Sequence, residues 1–276
     1  MNSESEAVEI RPSSGWRSLD LRELWRYREL LYFLVWRDLK LRFKQTVLGV
    51  LWLALRPLIT MALFTVVFSR MARMPSEGAP YPVFVLIGMI PWNFFSAAVS
   101  SGAASLVGSA PLITKVYFPR LIVPAAATVS GIAEVFVSFL MALGLMAWYG
   151  QTPPLVAIAY VPLLFIVCYT TAFGVSLFLG ALNVRFRDIG NAVPFLLQLW
   201  MYATPVVYPL QLVPQRFRWL VELNPMSGVV EGFRSALLGS PWNVRALGLS
   251  VALGVGCLVA GALFFKFDER SFADNV

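Results

Sequence analysis

Between Gly49 and Phe265 the chain is built from apolar stretches long enough to cross a lipid bilayer, and this restricts the fold more than any motif does. The stretches run from Gly49 to Phe68, Pro82 to Leu106, Leu121 to Tyr149, Leu155 to Leu182, Gly190 to Tyr208 and Val244 to Phe265. A hydrocarbon layer takes roughly 20 apolar residues per crossing at about 1.5 Å each. Within it backbone amides must pair inside the chain, which leaves helices as the economical solution. Composition agrees, because 58% hydrophobic and 13% charged residues leave too few polar groups to clothe a soluble domain of this length. The fifth stretch is interrupted by Pro194 and Pro205, tolerable where neighbouring helices satisfy the freed carbonyls.

With six crossings both ends of the chain share one side. That side would hold fifteen of the 22 Lys and Arg residues, from Arg11 to Lys44, then Lys115, Arg120, Arg185, Arg187, Lys266 and Arg270. Opposite them stand only Arg70, Arg73, Arg216, Arg218, Arg234 and Arg245, and Arg56 lies inside a crossing. The positive-inside rule therefore places both termini in the cytoplasm. It also accounts for the net charge of +7 without a nucleic-acid partner. The first 30 residues lack a basic start followed by an apolar core, so the first crossing is expected to be its own insertion signal.

Several chemistries are excluded or disfavoured. The chain has no histidine, the commonest general base and metal ligand. Cys168 and Cys257 both fall in crossings and form no Cys-x-x-Cys pair, so neither a disulfide framework nor a thiolate metal site is implied. No lysine follows a glycine, so a phosphate-binding P-loop is absent and no nucleotide site of that type exists in the chain. No catalytic residue, metal or cofactor is expected here.

Outside the crossings the chain divides into a polar tail, residues 1–18, an amphipathic segment, 19–46, the six-crossing domain, 47–265, and a cytoplasmic tail, 266–276. In the amphipathic segment Leu24, Tyr27, Leu31, Leu34 and Val35 recur at helical spacing, with Arg22, Glu23, Arg26, Glu29, Arg37 and Lys40 largely between them. It reads as a helix at the cytoplasmic headgroup layer or packed on a partner. After the second crossing Pro111 and Pro119 bracket about seven residues, enough for two helical turns or a plain connecting turn. Between the fifth and sixth crossings Pro209, Pro214, Pro225 and Pro241 break the chain too often for a full crossing. The segment is still too apolar for a free loop, so partial re-entry into the outer leaflet is expected.

The phrases "LVWRDLKLRFKQTVLGVLWLALRPLITMALFTVVF", "PYPVFVLIGMIPWNFFSAAVSSGAASL" and "PLITKVYFPRLIVP", with a later Asn224-Pro225, stand in the order found in one family. From about Arg37 to its C-terminus the chain resembles the permease subunit of type-2 ABC exporters for lipid-linked polysaccharide, O-antigen above all, with capsule and teichoic-acid permeases as relatives. The resemblance implies an all-α polytopic protein of six transmembrane helices, with an N-terminal amphipathic interface helix, a cytoplasmic coupling helix and short re-entrant periplasmic helices between spans five and six. It implies a homodimer in the bacterial inner membrane, docked to two cytoplasmic ABC ATPase subunits that bind ATP and Mg. The cargo would be a polysaccharide on undecaprenyl pyrophosphate. Alternatives are export of capsule, teichoic acid, a drug or a small lipid by the same fold, or an integral-membrane glycan polymerase or glycosyltransferase, which scattered acidic residues disfavour.

By the same resemblance Leu112, Ile113, Lys115, Val116, Tyr117 and Phe118 would seat in an ATPase groove. Trp219, Asn224, Pro225, Glu231 and Arg234 would belong to the periplasmic gate, although Glu231 and Arg234 are also spaced to pair on one helical turn. Arg56 either snorkels to the cytoplasmic interface or attracts the carrier phosphate in the conduit. Glu134, midway along the third crossing, is expected to pair with a polar group nearby or to be protonated. Trp200 and Tyr202 lie deeper than the other aromatics and would either stack on sugar or pack on lipid and helix.

Overall fold

The computed structural model describes residues 25–43, 51–269 and 272. Among them every regular element is helical: α1 Arg28–Phe43, α2 Leu51–Phe64 continued by a π-helical turn Thr65–Met71, α3 Tyr81–Gly108, α4 Ala110–Lys115, α5 Ile122–Val129 and α6 Ile132–Trp148. There follow α7 Ala157–Arg185, α8 Asp188–Ala203, a 3-10 turn Leu210–Leu212, α9 Gln215–Glu222, α10 Ser227–Leu238 and α11 Val244–Asp268. The polar tail 1–18, Arg22, Glu23, Leu24, Lys44 to Gly49 and Arg270 lie outside the described residues.

Five segments are long and apolar enough to cross a membrane: Leu51–Met71, Tyr81–Gly108, Ile122–Trp148, Ala157–Arg185 and Val244–Asp268. Each starts and stops within a few residues of a crossing expected from the sequence, except that the last helix runs through position 266, where a tail was expected to begin. The fifth expected crossing, Gly190 to Tyr208, is different. Its helix, α8, has only 16 residues, because Pro205 cannot donate to the ladder and forces Thr204 into an extended conformation with φ −99° and ψ 140°. Sixteen residues rise about 24 Å, short of a full hydrocarbon layer. The third crossing also breaks, at Ser130 and Gly131, so Glu134 occupies the first turn of a new helix rather than the middle of an old one. There the unpaired amides of the helix start favour a carboxylate.

The helices pack through two distinct cores. The larger surrounds α3, where Phe84, Phe95, Val83, Ile87 and Ala98 have essentially no exposed surface, and it includes Val230 and Phe233 of α10, its N-cap Met226, and Cys168 of α7. The smaller lies at the end of the bundle that carries Lys115, Arg120, Arg185 and Lys266. It gathers Leu34 of α1, Leu106, Ile113 of α4, Phe118, Leu121, Val184 and Phe265 with Phe272. The inward face of α1 is the stripe Leu31, Leu34 and Val35, continued by Tyr27 just before it, while Trp25, Tyr32, Phe33 and Trp36 are exposed.

Glycine makes a close crossing of α7 on α11 possible. A Cβ added to Gly261 would stand 2.1 Å from the Gly174 carbonyl oxygen, and one on Gly174 would stand 2.4 Å from the Leu258 amide nitrogen. Small residues let backbones approach and gain dispersion contact where burial against lipid supplies no hydrophobic drive. Span α2 is the least buried of the five and α3 the most, so α2 presents Leu58, Ile59, Leu63 and Val66 outward.

Candidate functional site

At the end of the bundle away from Lys115, the unravelled terminus of α8 meets the chain before α10. Having lost its helical partners after Ala203, this backbone needs others. Asn224 supplies one, its Nδ2 donating to the Ala203 carbonyl at 3.4 Å, and ties neighbouring groups to it. Its Oδ1 accepts from the Trp200 indole N–H at 3.0 Å and from the Met226 amide at 3.0 Å, while its Nδ2 donates to Thr204 Oγ1 at 2.8 Å. Pro225 follows in the turn that leads into α10. The Trp200 ring also stands edge-on to Phe95 of α3, centroids 5.2 Å apart. Trp200 and Asn224, assigned to conduit and gate on separate grounds, are thus one hydrogen-bonded unit.

About two helical turns into α10 sits Arg234, fully buried. Its Nη1 donates to the Pro205 carbonyl at 2.7 Å and to Glu231 Oε1 at 3.1 Å, and its Nη2 donates to the Val206 carbonyl. The guanidinium lies 3.6 Å from the centroid of the Phe84 ring. Room for it exists because α3 carries Gly88 there, where a Cβ would stand 2.7 Å from Nη2. A planar fork with several donors suits two adjacent carbonyls and a carboxylate in a way that lysine does not. Burial pushes the Glu231 carboxyl above its usual range and Arg234 opposes that rise, with Glu77 of the loop after the first span adding to it. Tyr81 completes the closure, its hydroxyl donating to the Val207 carbonyl at 2.6 Å. The arrangement binds the end of α8 to α3 and α10.

Beside Trp200 an apolar groove of about 530 Å³ opens between α7, α8 and α11, with Phe178, Leu197 and Cys257 among its walls. Trp200 is the polar exception, and its N–H is already engaged by Asn224. At the opposite end of the molecule α4 stops at Lys115, a turn shorter than the prolines allow, and Val116 is extended with φ −129° and ψ 134°. Ile113 and Phe118 are buried and Leu112 is half-buried, whereas Lys115, Val116 and Tyr117 protrude, Tyr117 with 67% of its surface exposed.

The remaining expected site residues are dispersed. Arg56 is exposed on α2, which packs on α3 and α6, while α8 packs on α3 and α7. Tyr202 is exposed and points away from Trp200, because two residues turn a helix by about 200°. Trp219 is exposed on α9, and Glu222 beside it is buried and pairs with Arg245 at 3.5 Å. Thr204, Tyr81, Phe84, Gly88 and Glu77 were not anticipated. Only Gly88, a glycine inside a long apolar helix, carried a signal that something approaches closely.

Comparison with known proteins sets this geometry in a lineage. The chain is 31% identical to the O-antigen export system permease protein RfbA of Myxococcus xanthus over 93% of its length and 98% of that protein. It is 27% identical to the protein of the same name from Klebsiella pneumoniae, covering 89% and 94%. A more distant relative is the polysialic acid transport protein KpsM of Escherichia coli, 22% identical over 80% of this chain and 88% of that one. The family model for the ABC-2 type transporter matches residues 29–238, from the first described helix to the end of α10, and the chain belongs to that family.

Proposed function

We propose that this chain is the membrane subunit of an ATP-driven exporter that carries lipid-linked polysaccharide, O-antigen on undecaprenyl pyrophosphate, across the bacterial inner membrane. The observation that carries the reading is full-length similarity to O-antigen permeases together with a protruding Lys115, Val116 and Tyr117 tip on a buried base. ATP and Mg belong to two separate cytoplasmic ABC ATPase subunits, which receive the tip. The basic end of the bundle faces the cytoplasm, with both termini there. Span α2 and the exposed face of α8 support assembly with a second copy, since both present apolar surface that nothing in the described chain covers. In that assembly α8 and the turn through Leu210 make a sixth, kinked crossing, and α9 and α10 re-enter from the periplasmic side.

Transport then needs no covalent chemistry in this chain. ATP binding closes the partner subunits, the tips are displaced, and the spans move between states that differ in affinity for the lipid head and the glycan. The Arg234 and Asn224 assembly holds the periplasmic end of α8 in the present state. Similarity to KpsM supports a second reading, export of a capsular glycan by the same route. Reconstitution with an ATPase and defined lipid-linked O-antigen or capsular glycan tests both, reading ATP turnover and glycan appearance across the bilayer. Absence of stimulation by either cargo overturns the polysaccharide reading and leaves the family assignment standing.

A further inference from the structure

The chain beyond the last helix is built into the loop that carries the tip. Arg120, five residues after Lys115, donates from Nη1 to the backbone carbonyl of Glu269. Its guanidinium carbon lies 6.0 Å from the centroid of the Phe272 ring. Phe272 is fully buried even though α11 ends at Asp268, and its ring meets Phe265 edge-on with centroids 5.1 Å apart. Lys266 pairs with the Glu269 carboxylate at 2.6 Å and ties that residue back to the helix. Carbonyls of a last helical turn have no partner within the helix, so Arg120 acts as a cap supplied from a distant part of the chain. The same cluster contains Ile113 and Phe118, the two anchors that flank the tip.

We propose that Arg120 and Phe272 are positioning residues that make the tip and the last membrane span move as one body. The inference rests on the reading of Lys115 to Tyr117 as the ATPase contact and adds the route by which its displacement reaches the membrane. Besides this brace the tip joins the bundle through the six-residue α4, the extended chain at Val116 and the buried Ile113 and Phe118, none of which ties it to the end of α11 by a polar contact. With it, motion passes from the loop to α11, and from α11 through the glycine crossing to α7. An apolar plug alone would explain why Phe272 is buried. It would not require a cation that spans from the loop to the helix end.

The test uses the complete exporter reconstituted with its ATPase and a lipid-linked glycan, comparing Phe272→Ala and Arg120→Ala with the conservative Phe272→Leu and Arg120→Lys. ATPase co-purification and ATP turnover should stay within about twofold, while glycan exported per ATP falls about fivefold, in the range that changes along a packed network reach. The conservative variants should recover more than half of the loss. Arg120 is partly exposed, so Arg120→Ala carries the test if Phe272→Ala does not fold. Unchanged export per ATP in Arg120→Ala overturns the proposal, as does a loss that merely parallels lower turnover and thermal stability. Tyr117→Ala separates this from the underlying reading: undiminished ATPase co-purification in that variant removes the tip as the contact, whatever the brace variants do.

Discussion

Arg234 shows how much one side chain organises here. Its partners come from α3, from the end of α8 and from its own helix, so its loss leaves the Pro205 and Val206 carbonyls buried without donors. Each buried carbonyl left without its donor costs about 1 to 3 kcal/mol. Arg234→Met should therefore lower the thermal midpoint in detergent sharply. Glu231→Gln should lower it little, because burial already disfavours the charged carboxylate and an amide keeps a hydrogen-bond acceptor. Comparable losses from both would show that the carboxylate charge is the essential partner. Asn224→Ala should cost about 1 to 3 kcal/mol for each donor left unpaired in a buried setting, chiefly the Trp200 indole and the Met226 amide. Trp200→Phe, which removes the indole donor and keeps an apolar ring, should cost less. Tyr202→Ala should change the midpoint little, since that side chain is exposed.

Among elements, the glycine crossing and the tip make separable predictions. Gly261→Ala drives a methyl into the Gly174 backbone, which has no flexible end to yield, whereas a Cβ on Gly256 meets open space. The first should destabilise by about 1 to 3 kcal/mol or more, and the second should be neutral or slightly favourable in a helix. Equal midpoints would mean that α7 and α11 can separate without cost. At the tip, Tyr117→Ala should reduce ATPase co-purification and leave the permease midpoint unchanged. Phe118→Ala should lower the midpoint first, because that ring is buried beneath the tip. The sequence did not separate these two neighbours, since an aromatic pair next to a proline looks alike whether it faces in or out. Long apolar runs made five helices legible to within a few residues, because length and hydropathy alone set them. The end of α8 was half legible: Pro205 announced a break, but where the freed carbonyls found donors depended on Asn224 and Arg234, some twenty and thirty residues further on. Tertiary pairing of that kind leaves no periodic mark. Helical spacing sets the Trp200 and Tyr202 rings on opposite faces of α8, which the shared depth of the two residues in the sequence did not distinguish.

For the whole molecule, orientation can be read from two exposed positions. With Cys168 and Cys257 replaced, Leu155→Cys should react with a membrane-impermeant thiol reagent from the periplasm, and Tyr117→Cys, in permease without its ATPase, only after the membrane is opened. Reversed labelling would invert the assignment of the basic end to the cytoplasm. The two cores also differ in the stretch of chain they draw on. The larger one is assembled mainly from residues between Phe64 and Leu237, so most of it exists while synthesis is still under way. The smaller one joins Leu34 of the first described helix to Phe265 and Phe272 at and beyond the last. It is complete only once α11 has been made and inserted, and the brace between the tip and the last span forms with it. On the proposed reading of the tip, a nascent or truncated chain would sit in the membrane with a tip not yet braced to the last span, so that displacement of the tip would not reach α11.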